Sequence, residues 1–268
     1  FPYTTLFRSI AALADIHACD PWMSLDRIAE IVDRTNALNP DIIVLLGDYV
    51  AGLRHVTRFI PASEWAAVLK GLKAPLGVHA VLGNHDYWED KMVQRLGQGT
   101  PVARRALERA GIPVYENDAV RLVKDNRPFW LAGLGDQLAF MAARPYREIR
   151  RVGVDDLNGT LAKVTDDAPV ILLAHEPDVA LRVPSRVALQ LSGHTHGGQI
   201  RLLGWSVGGV IAHAMAVHLG ELGQQVAYLG IMDSRPEDEP VIVHDVPQHG
   251  EPVEPAAAEP GPAIEPDA

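Results

Sequence analysis

Five short motifs in the first 200 residues carry histidine, aspartate and asparagine side chains, which are types that bind divalent metal ions. The motifs are Asp15-Ile16-His17, Gly47-Asp48, Gly83-Asn84-His85-Asp86, His175 and Gly193-His194-Thr195-His196. Carboxylate, amide and imidazole donors without thiolate suit Mn, Fe or Zn, and metal availability decides among these more than ligand type does. Two ions about 3.5 to 4 Å apart can hold a bridging hydroxide and clamp both oxygens of an in-line displacement. The motifs therefore predict hydrolysis at a two-metal centre.

Each motif taken alone has a simpler structural explanation. A single histidine after a strand is usually a structural residue, and a Gly-Asp pair there is usually a turn. The segment Gly83-Asn84-His85-Asp86 alone fits a loop whose Asn adopts left-handed backbone angles. His194 and His196 are more specific, because two imidazoles flanked by glycines allow close approach of a metal ion. All five motifs together, in this order, favour a single functional site.

In this order the motifs resemble those of the calcineurin-like metallophosphoesterase superfamily, DxH, GD, GNH(D/E), H and GHxH. The sequence is most similar to the compact bacterial phosphodiesterase branch, which carries GHTHGGQ and HxPD, here His175-Glu176-Pro177-Asp178. The resemblance covers residues 10–200. It implies an α/β fold, a four-layer sandwich of two mixed β-sheets flanked by helices, with a binuclear metal centre at one edge.

The resemblance also implies a role for each matching residue. One metal ion would be held by Asp15, His17 and His196, and the other by Asn84, His175 and His194. Asp48 would bridge the two ions. His85 would stay unligated and face the substrate, where it would donate a proton to the leaving group or stabilise charge on the phosphoryl oxygens. Asp86 would orient the His85 ring and favour its charged form.

For the reaction, the resemblance implies hydrolysis of a phosphodiester or pyrophosphate bond, with a metal-bridging hydroxide as nucleophile, on a lipid-linked or nucleotide-linked substrate. A phosphomonoesterase or protein phosphatase is an alternative that the ligands cannot separate, because specificity resides in loops. A non-catalytic metal-binding scaffold is an alternative of another class, and retention of every ligand together with His85 argues against it. No nucleic-acid or protein partner is predicted. The expected location is the cytoplasm, with association with the inner membrane surface as the alternative.

The elements predicted from the sequence would bring these motifs to one edge of a sheet. Apolar runs at residues 10–14, 41–46 and 77–82 predict buried strands, each directly before a motif. Helical spacing of apolar residues at 24–38 and 63–72 predicts helices between them, and hence parallel strands. In such sheets ligands bind beyond the carboxyl ends of the strands, so the loops should converge there.

The second half of the chain is predicted to be partly antiparallel. The predicted elements are a helix at 100–111, a hairpin of 119–124 and 129–134, and strands at 170–174, 187–191 and 199–203. Asp136 follows the hairpin near the same edge, and a turn is its simpler interpretation.

Composition excludes few classes of protein. The formal charge is −10, but nine of the 34 acidic residues lie in 236–268, which has no Lys or Arg, leaving 24 basic against 25 acidic residues elsewhere. The body of the chain is therefore neutral enough to accept an anionic substrate once metal ions are bound. The single Cys19 excludes an intrachain disulfide and a thiolate metal site. No apolar run reaches the roughly 18 to 20 residues that span a bilayer.

Both ends of the chain depart from the expected domain at 10–205. Residues 1–9 read as the translation of a common sequencing adapter, so the protein is expected to start at about Ile10. After residue 200 the family pattern is absent, and residues 206–233 have the Gly, Ala, His and Val content of a frameshifted reading. Residues 234–268 are predicted to be a disordered acidic, Pro-rich tail.

Overall fold

The computed structural model describes residues 9–52, 55–143, 149–195, 201–205 and 228–232. Thirteen strands are described: β1 (Ile10–Leu13), β2 (Cys19–Asp20), β3 (Ile42–Leu45), β4 (Arg58–Phe59), β5 (Val78–Ala80), β6 (Asp118–Lys124), β7 (Arg127–Gly133), β8 (Phe140–Ala143), β9 (Ile149–Val152), β10 (Val170–Leu173), β11 (Val187–Leu191), β12 (Arg201–Trp205) and β13 (Tyr228–Met232). The α-helices are α1 (Leu25–Ala37), α2 (Ala62–Leu69), α3 (Asn84–Trp88), α4 (Lys91–Leu96), α5 (Val102–Arg109) and α6 (Leu157–Ala162), and a 3₁₀ helix spans Pro177–Leu181. The predicted ligand His196, residues 1–8 of the segment 1–9 that was predicted to be adapter-derived, and most of residues 206–268 lie outside this description.

The first sheet is parallel, with the order β1-β3-β5. Strand β3 reads IIVL and is buried along its whole length, as expected for a central parallel strand covered on both faces. Helix α1 connects β1 to β3, and its N-cap Ser24 accepts a hydrogen bond from the Arg27 amide at 3.3 Å. This confirms the parallel unit predicted from the apolar pattern.

The second sheet is mixed, with the order β13-β12-β11-β10-β7-β6. The predicted hairpin is confirmed as β6 and β7, which pair antiparallel around Asp125 and Asn126 at φ 48° and 61°. Positive φ at both central residues matches the twist of the flanking strands. Strands β7, β10 and β11 are parallel, whereas β12 is antiparallel to β11. The predicted strand at 199–203 is found at Arg201–Trp205.

Three apolar clusters hold these layers together. The first joins one face of the parallel sheet to helices, and includes Ile28, Trp65 and Leu107. The second contains side chains from both sheets, and the third lies around the second sheet and α6. Each fully buried Leu, Ile or Phe side chain contributes about 1.5–3 kcal/mol to folding. The chain is therefore an α/β protein with mixed sheets and helices.

Short elements complete the described structure. Strands β2 and β4 form a two-stranded ribbon after the first and second motifs, and β8 and β9 form another. Helix α3 was not predicted and begins at Asn84, inside the third motif. Within the described residues, no helix has the length and apolar character that crossing a bilayer requires.

Candidate metal centre

Four motif residues adopt left-handed backbone angles where their strands end. Asp15 and His17 follow β1 at φ 54° and 44°, Asp48 follows β3 at 57°, and His194 follows β11 at 71°. Such angles are uncommon for residues other than glycine and concentrate at functional sites. Backbone bonds fix the loops to each other, since the His17 amide donates to the Asp48 carbonyl at 2.9 Å and the Asp15 amide to the Gly47 carbonyl at 3.1 Å. The chain thus turns sharply to bring these side chains together.

The predicted ligands form two groups that share one carboxylate. Asp15, His17 and Asp48 form one group, and Asp48, His175 and His194 form the other. Within each group the ligand atoms lie within 4.8 Å of one another. Asp48 is the residue that the two groups have in common. His196 lies outside the described residues.

Two of the imidazoles present the same ring nitrogen to Asp48. Nδ1 of His17 is 2.9 Å from the Val50 carbonyl, and Nδ1 of His175 is 2.6 Å from the Leu46 carbonyl. A ring nitrogen that faces a carbonyl carries the proton, which places the lone pair of the neutral imidazole on Nε2. Nε2 of His17 and of His175 lie 3.6 and 3.2 Å from Oδ2 of Asp48. Backbone carbonyls therefore orient both rings so that Nε2 faces Asp48.

Polar atoms at this centre lack partners among the described residues. Asp48 and Asn84 are fully buried, and neither side-chain heteroatom of Asn84 has a hydrogen-bond partner among the described residues. An unsatisfied buried polar group costs about 1–3 kcal/mol, and a charged one more. Carboxylate and amide oxygens are ligands for divalent cations. The residues present therefore fit the metal ions that the sequence predicted.

The electrostatics of Asp48 and His175 favour a positive charge between them. Burial opposes ionisation of Asp48, but the hydrogen bond and charge of His175 hold its pKa below the ordinary value. Burial also opposes protonation of His175, yet the carboxylates of Asp48, Glu176 and Asp136 raise its pKa to about 10. The buried carboxylate thus draws positive charge to this point, which a divalent cation would supply.

Two glycines allow the loops to approach closely. A Cβ on Gly83 would lie 2.3 Å from Oδ1 of Asp48 and 2.7 Å from the Asp48 amide nitrogen. A Cβ on Gly47, whose φ is +97°, would lie 2.5 Å from the Gly83 nitrogen. The second and third motifs can therefore touch only because both positions lack a side chain.

The structure corrects the role expected for Asp86. Its carboxylate oxygens accept hydrogen bonds from four backbone amides, those of Asp48 (3.0 Å), Tyr49 (2.9 Å), Val50 (3.2 Å) and Gly83 (2.9 Å). Burial and the charge of Asp48 raise the pKa of Asp86 to about 7, although the backbone bonds counteract them. The acid thus connects the second motif to the third. It holds the loop that carries Asp48, and the carboxylate beside the His85 ring is that of Glu89.

His85 lies beside the ligand groups without belonging to either of them. Its amide donates to Oδ1 of Asp48 at 2.8 Å, and its side chain is 24% exposed. The ring makes edge contacts with His17 and Trp88, with centroids 5.0 and 5.2 Å apart. An imidazole at the rim of a metal centre, held but accessible, can exchange a proton with a bound ligand.

Sequence reasoning missed two acidic features near the centre. Glu89 lies 3.6 Å from Nδ1 of His85. The two residues are four positions apart, a spacing that indicates contact only within a helix, and α3 was not predicted. Asp136 and Glu176 are both buried. Burial, and to a smaller extent the charge of Glu176, raises the pKa of Asp136 well above its ordinary value. Oδ1 of Asp136 also accepts the Leu138 amide at 2.8 Å, as the turn interpretation expected.

Comparison with known proteins gives a consistent result. Residues 8–198 match the family model of the calcineurin-like phosphoesterases. The chain is 37% identical over 198 residues to a metallophosphoesterase of Caenorhabditis elegans, covering 72% of this chain and 37% of that protein. It is 33% identical over 198 residues to the metallophosphoesterase YkuE of Bacillus subtilis (72% and 59% covered), and 29% identical over 203 residues to the phosphodiesterase YaeI of Escherichia coli (75% and 63%). The chain therefore spans less than two thirds of the length of each of these relatives.

Proposed function

The chain belongs to the calcineurin-like phosphoesterase family, and on that premise we propose that it hydrolyses phosphodiester or pyrophosphate bonds with two divalent metal ions. One observation carries the proposal: two groups of three candidate ligands share Asp48, a fully buried carboxylate whose Oδ2 lies between Nε2 of His17 (3.6 Å) and Nε2 of His175 (3.2 Å). A carboxylate that faces ligands on both sides is suited to bridge two cations.

The ligands of the two ions are assigned as the sequence predicted. One ion would be held by Asp15, His17 and His196, the other by Asn84, His175 and His194, and Asp48 would be shared between them. When bound, Mn, Fe or Zn ions supply an activated water and positive charge for the phosphoryl oxygens. The candidate ligands Asp48, Asn84 and His175 are themselves buried, which strengthens charge interactions at these side chains.

His85 supplies the proton that the leaving group needs. The oxygen of water forms a new bond to phosphorus, and the bond from phosphorus to the leaving oxygen breaks, with its electron pair going to that oxygen. Nε2 of His85 donates a proton to the leaving oxygen, and the proton lost by the attacking water passes to solvent or restores His85. The accessible rim position of His85 supports this role.

A diester or pyrophosphate substrate is favoured over a monoester by one comparison. The relative YaeI is named a phosphodiesterase. The ligand set itself suits a phosphomonoesterase or protein phosphatase equally well, and loops decide between them. A lipid-linked or nucleotide-linked substrate remains the class that the sequence resemblance implied.

The decisive experiment compares a diester with a monoester. Protein starting at Ile10 is loaded with Mn²⁺ and assayed on bis(p-nitrophenyl) phosphate and on p-nitrophenyl phosphate, with a chelator-treated sample as control. Faster cleavage of the diester that the chelator abolishes supports the proposal. Faster cleavage of the monoester supports the phosphatase alternative. Metal binding without turnover of either ester would instead favour a non-catalytic scaffold.

For the fold, we infer a stack of four layers: helices, the parallel sheet, the mixed sheet and a further helical layer. The second apolar cluster supports contact between the sheets, because it includes Val44 of β3, Phe129 of β7 and Leu173 of β10. The first and third clusters support helical layers on the outer faces, around Leu107 and Leu157. In this order the strand ends of both sheets would open at one edge.

A further inference from the structure

A carboxylate faces the buried nitrogen of His85. Glu89 is the C-cap of α3, and its Oε1 lies 3.6 Å from Nδ1 of His85, one helical turn earlier. Among the described residues, no hydrogen-bond partner lies within bonding distance of that Nδ1, which is itself inaccessible to solvent. Catalytic hydrogen bonds are often long in the absence of substrate and shorten when it binds. A shift of a few tenths of an ångström would make this contact a hydrogen bond.

We propose that Glu89 is the positioning residue of His85, accepting the Nδ1–H bond and leaving Nε2 as the nitrogen that serves the substrate. The inference rests on the proposed function, because it names the partner of its proton donor. A side chain that holds one ring nitrogen of a histidine fixes both the tautomer and the orientation of the ring. Asp86 cannot do this, because its oxygens bind backbone amides.

Gly52 supplies an independent observation. A Cβ at this position would lie 2.1 Å from Nδ1 of His85 and 2.8 Å from Oε1 of Glu89. The backbone of Gly52 therefore covers the same ring edge that Glu89 faces, and any side chain there would separate the pair. The His85 end of the contact is therefore shielded from water, whereas the Glu89 side chain is 40% exposed.

The remaining neighbours fix the plane of the ring but do not select a nitrogen. His17 and Trp88 contact the ring edge-on, at interplanar angles of 85° and 61°. Trp88 is itself held, since its indole N–H donates to the Leu138 carbonyl at 2.7 Å. Aromatic contacts of this kind stabilise an orientation through shape and quadrupole. The charge of Asp48 also acts on His85, but among the described residues Glu89 is the carboxylate that lies within 4 Å of a ring nitrogen, and that nitrogen is Nδ1.

The first test reads the tautomer of His85 directly. Metal-free protein labelled with ¹⁵N-histidine is examined by NMR in alkaline buffer, where imidazoles are neutral. Wild type should show the proton on Nδ1, Glu89→Ala should shift it toward Nε2, and Glu89→Gln should keep it on Nδ1 because an amide oxygen still accepts the bond. Glu30→Ala, which removes an exposed i,i+4 partner of Arg34 on α1, is the matched control. The same tautomer in wild type and Glu89→Ala would overturn the proposal.

The second test uses the leaving group. Methyl phenyl phosphate and methyl p-nitrophenyl phosphate differ in how much the departing oxygen needs a proton. Glu89→Ala should lower kcat on the phenyl ester about tenfold to a hundredfold, and kcat on the nitrophenyl ester far less. The loss on the phenyl ester is part of the rate enhancement of about 10² to 10⁴ that a positioned acid supplies. When Glu89→Ala is added to His85→Ala, kcat of the double variant should equal that of His85→Ala alone. Two results would contradict the assignment. One is an equal loss of kcat on both esters in Glu89→Ala, and the other is a double variant whose loss is the sum of the two single losses in free energy. A wild type that cleaves neither ester refutes the proposed function instead, while the tautomer still decides the pairing.

Discussion

At the scale of single residues, His85 is the side chain whose loss separates chemistry from metal binding. It belongs to neither ligand group, and its amide rather than its ring contacts Asp48. His85→Ala should therefore retain metal, while turnover of a diester with a poor leaving group falls on the order of 10² to 10⁴. Metal analysis and kcat on methyl phenyl phosphate measure the two effects. The exposed His55 gives a matched control in His55→Ala, and full activity in His85→Ala would remove the residue from the mechanism.

The sequence was sufficient to find the ligands but not their supports. Asp15, His17, Asp48, His175 and His194 are brought together as the motif order predicted. The role of Asp86 was wrong, because its bonds to Tyr49 and Val50 join positions 37 and 36 residues apart and depend on the tertiary fold. Glu89 was missed because its contact requires α3, a helix of five residues that is too short to show a period.

At the scale of elements, the junction between β5 and α3 determines whether the second and third motifs fit together. Gly83→Ala would place a Cβ 2.3 Å from Oδ1 of Asp48 and 2.7 Å from its amide nitrogen, so one of the two loops must move. We expect a large loss of metal affinity, on the order of tenfold to a hundredfold, as for changes to groups that support ligands. Isothermal titration with Mn²⁺ measures it.

Gly97 provides the matched control for this substitution. It ends α4 at φ +64°, and a Cβ there would meet no atom within 4 Å. Gly97→Ala should therefore cost about 1 kcal/mol of stability through its backbone angles and leave Mn²⁺ affinity unchanged. Unchanged affinity in Gly83→Ala as well would mean that the loops adapt, contrary to the close contact described above.

The mixed sheet carries a pH-dependent contact at Asp166. Hydrogen bonds from the Trp130 indole (2.7 Å) and from Arg121 (2.8 Å) lower the pKa of Asp166 to about 2. Because the folded pKa lies below the ordinary value of about 3.9, the stabilisation is present above about pH 4 and is lost as pH falls towards 2. Asp166→Asn should thus have a lower Tm than wild type near neutral pH, and the difference should shrink on acidification.

Thermal unfolding between about pH 2 and 7 measures this dependence. Asp33→Asn, which replaces an exposed carboxylate of α1, is the control for a general effect of charge. A Tm difference between wild type and Asp166→Asn that stays constant over this range would show that the carboxylate does not stabilise the strand pairs through its charge.

Elements with a strong local pattern were predictable, and the pairing between distant ones was not. The run IIVL of β3 and the turn at Asp125 and Asn126 indicate their structures from neighbouring residues alone. The parallel pairing of β10 with β7 joins Val170 to Trp130, and no local periodicity encodes that choice. The ribbon of β2 and β4 has two residues in each strand, which is below the length at which alternation can be read.

At the scale of the whole molecule, the buried polar groups of the candidate metal centre lower the stability of the metal-free protein. The fold buries Asp48 and Asn84 completely at the meeting point of loops from both sheets, and no described residue satisfies the side-chain amide of Asn84. Groups of this kind lower the stability of a protein unless a ligand binds them. Bound metal should therefore contribute to the stability of the entire domain, because a ligand that binds only the native state raises the free energy of unfolding.

Asp48→Asn tests this coupling because the change preserves shape and removes the charge. In chelator, the variant should be as stable as wild type or more so, since a neutral amide can donate to Nε2 of His175 and a buried ion pair is replaced by a neutral one. In Mn²⁺ at a hundred times the dissociation constant, wild type should gain about 2.7 kcal/mol, whereas the variant should gain little. Urea unfolding with and without Mn²⁺ measures both quantities. An equal gain in the two proteins would mean that Asp48 does not bridge the ions, and that the stability of the fold is independent of its charge.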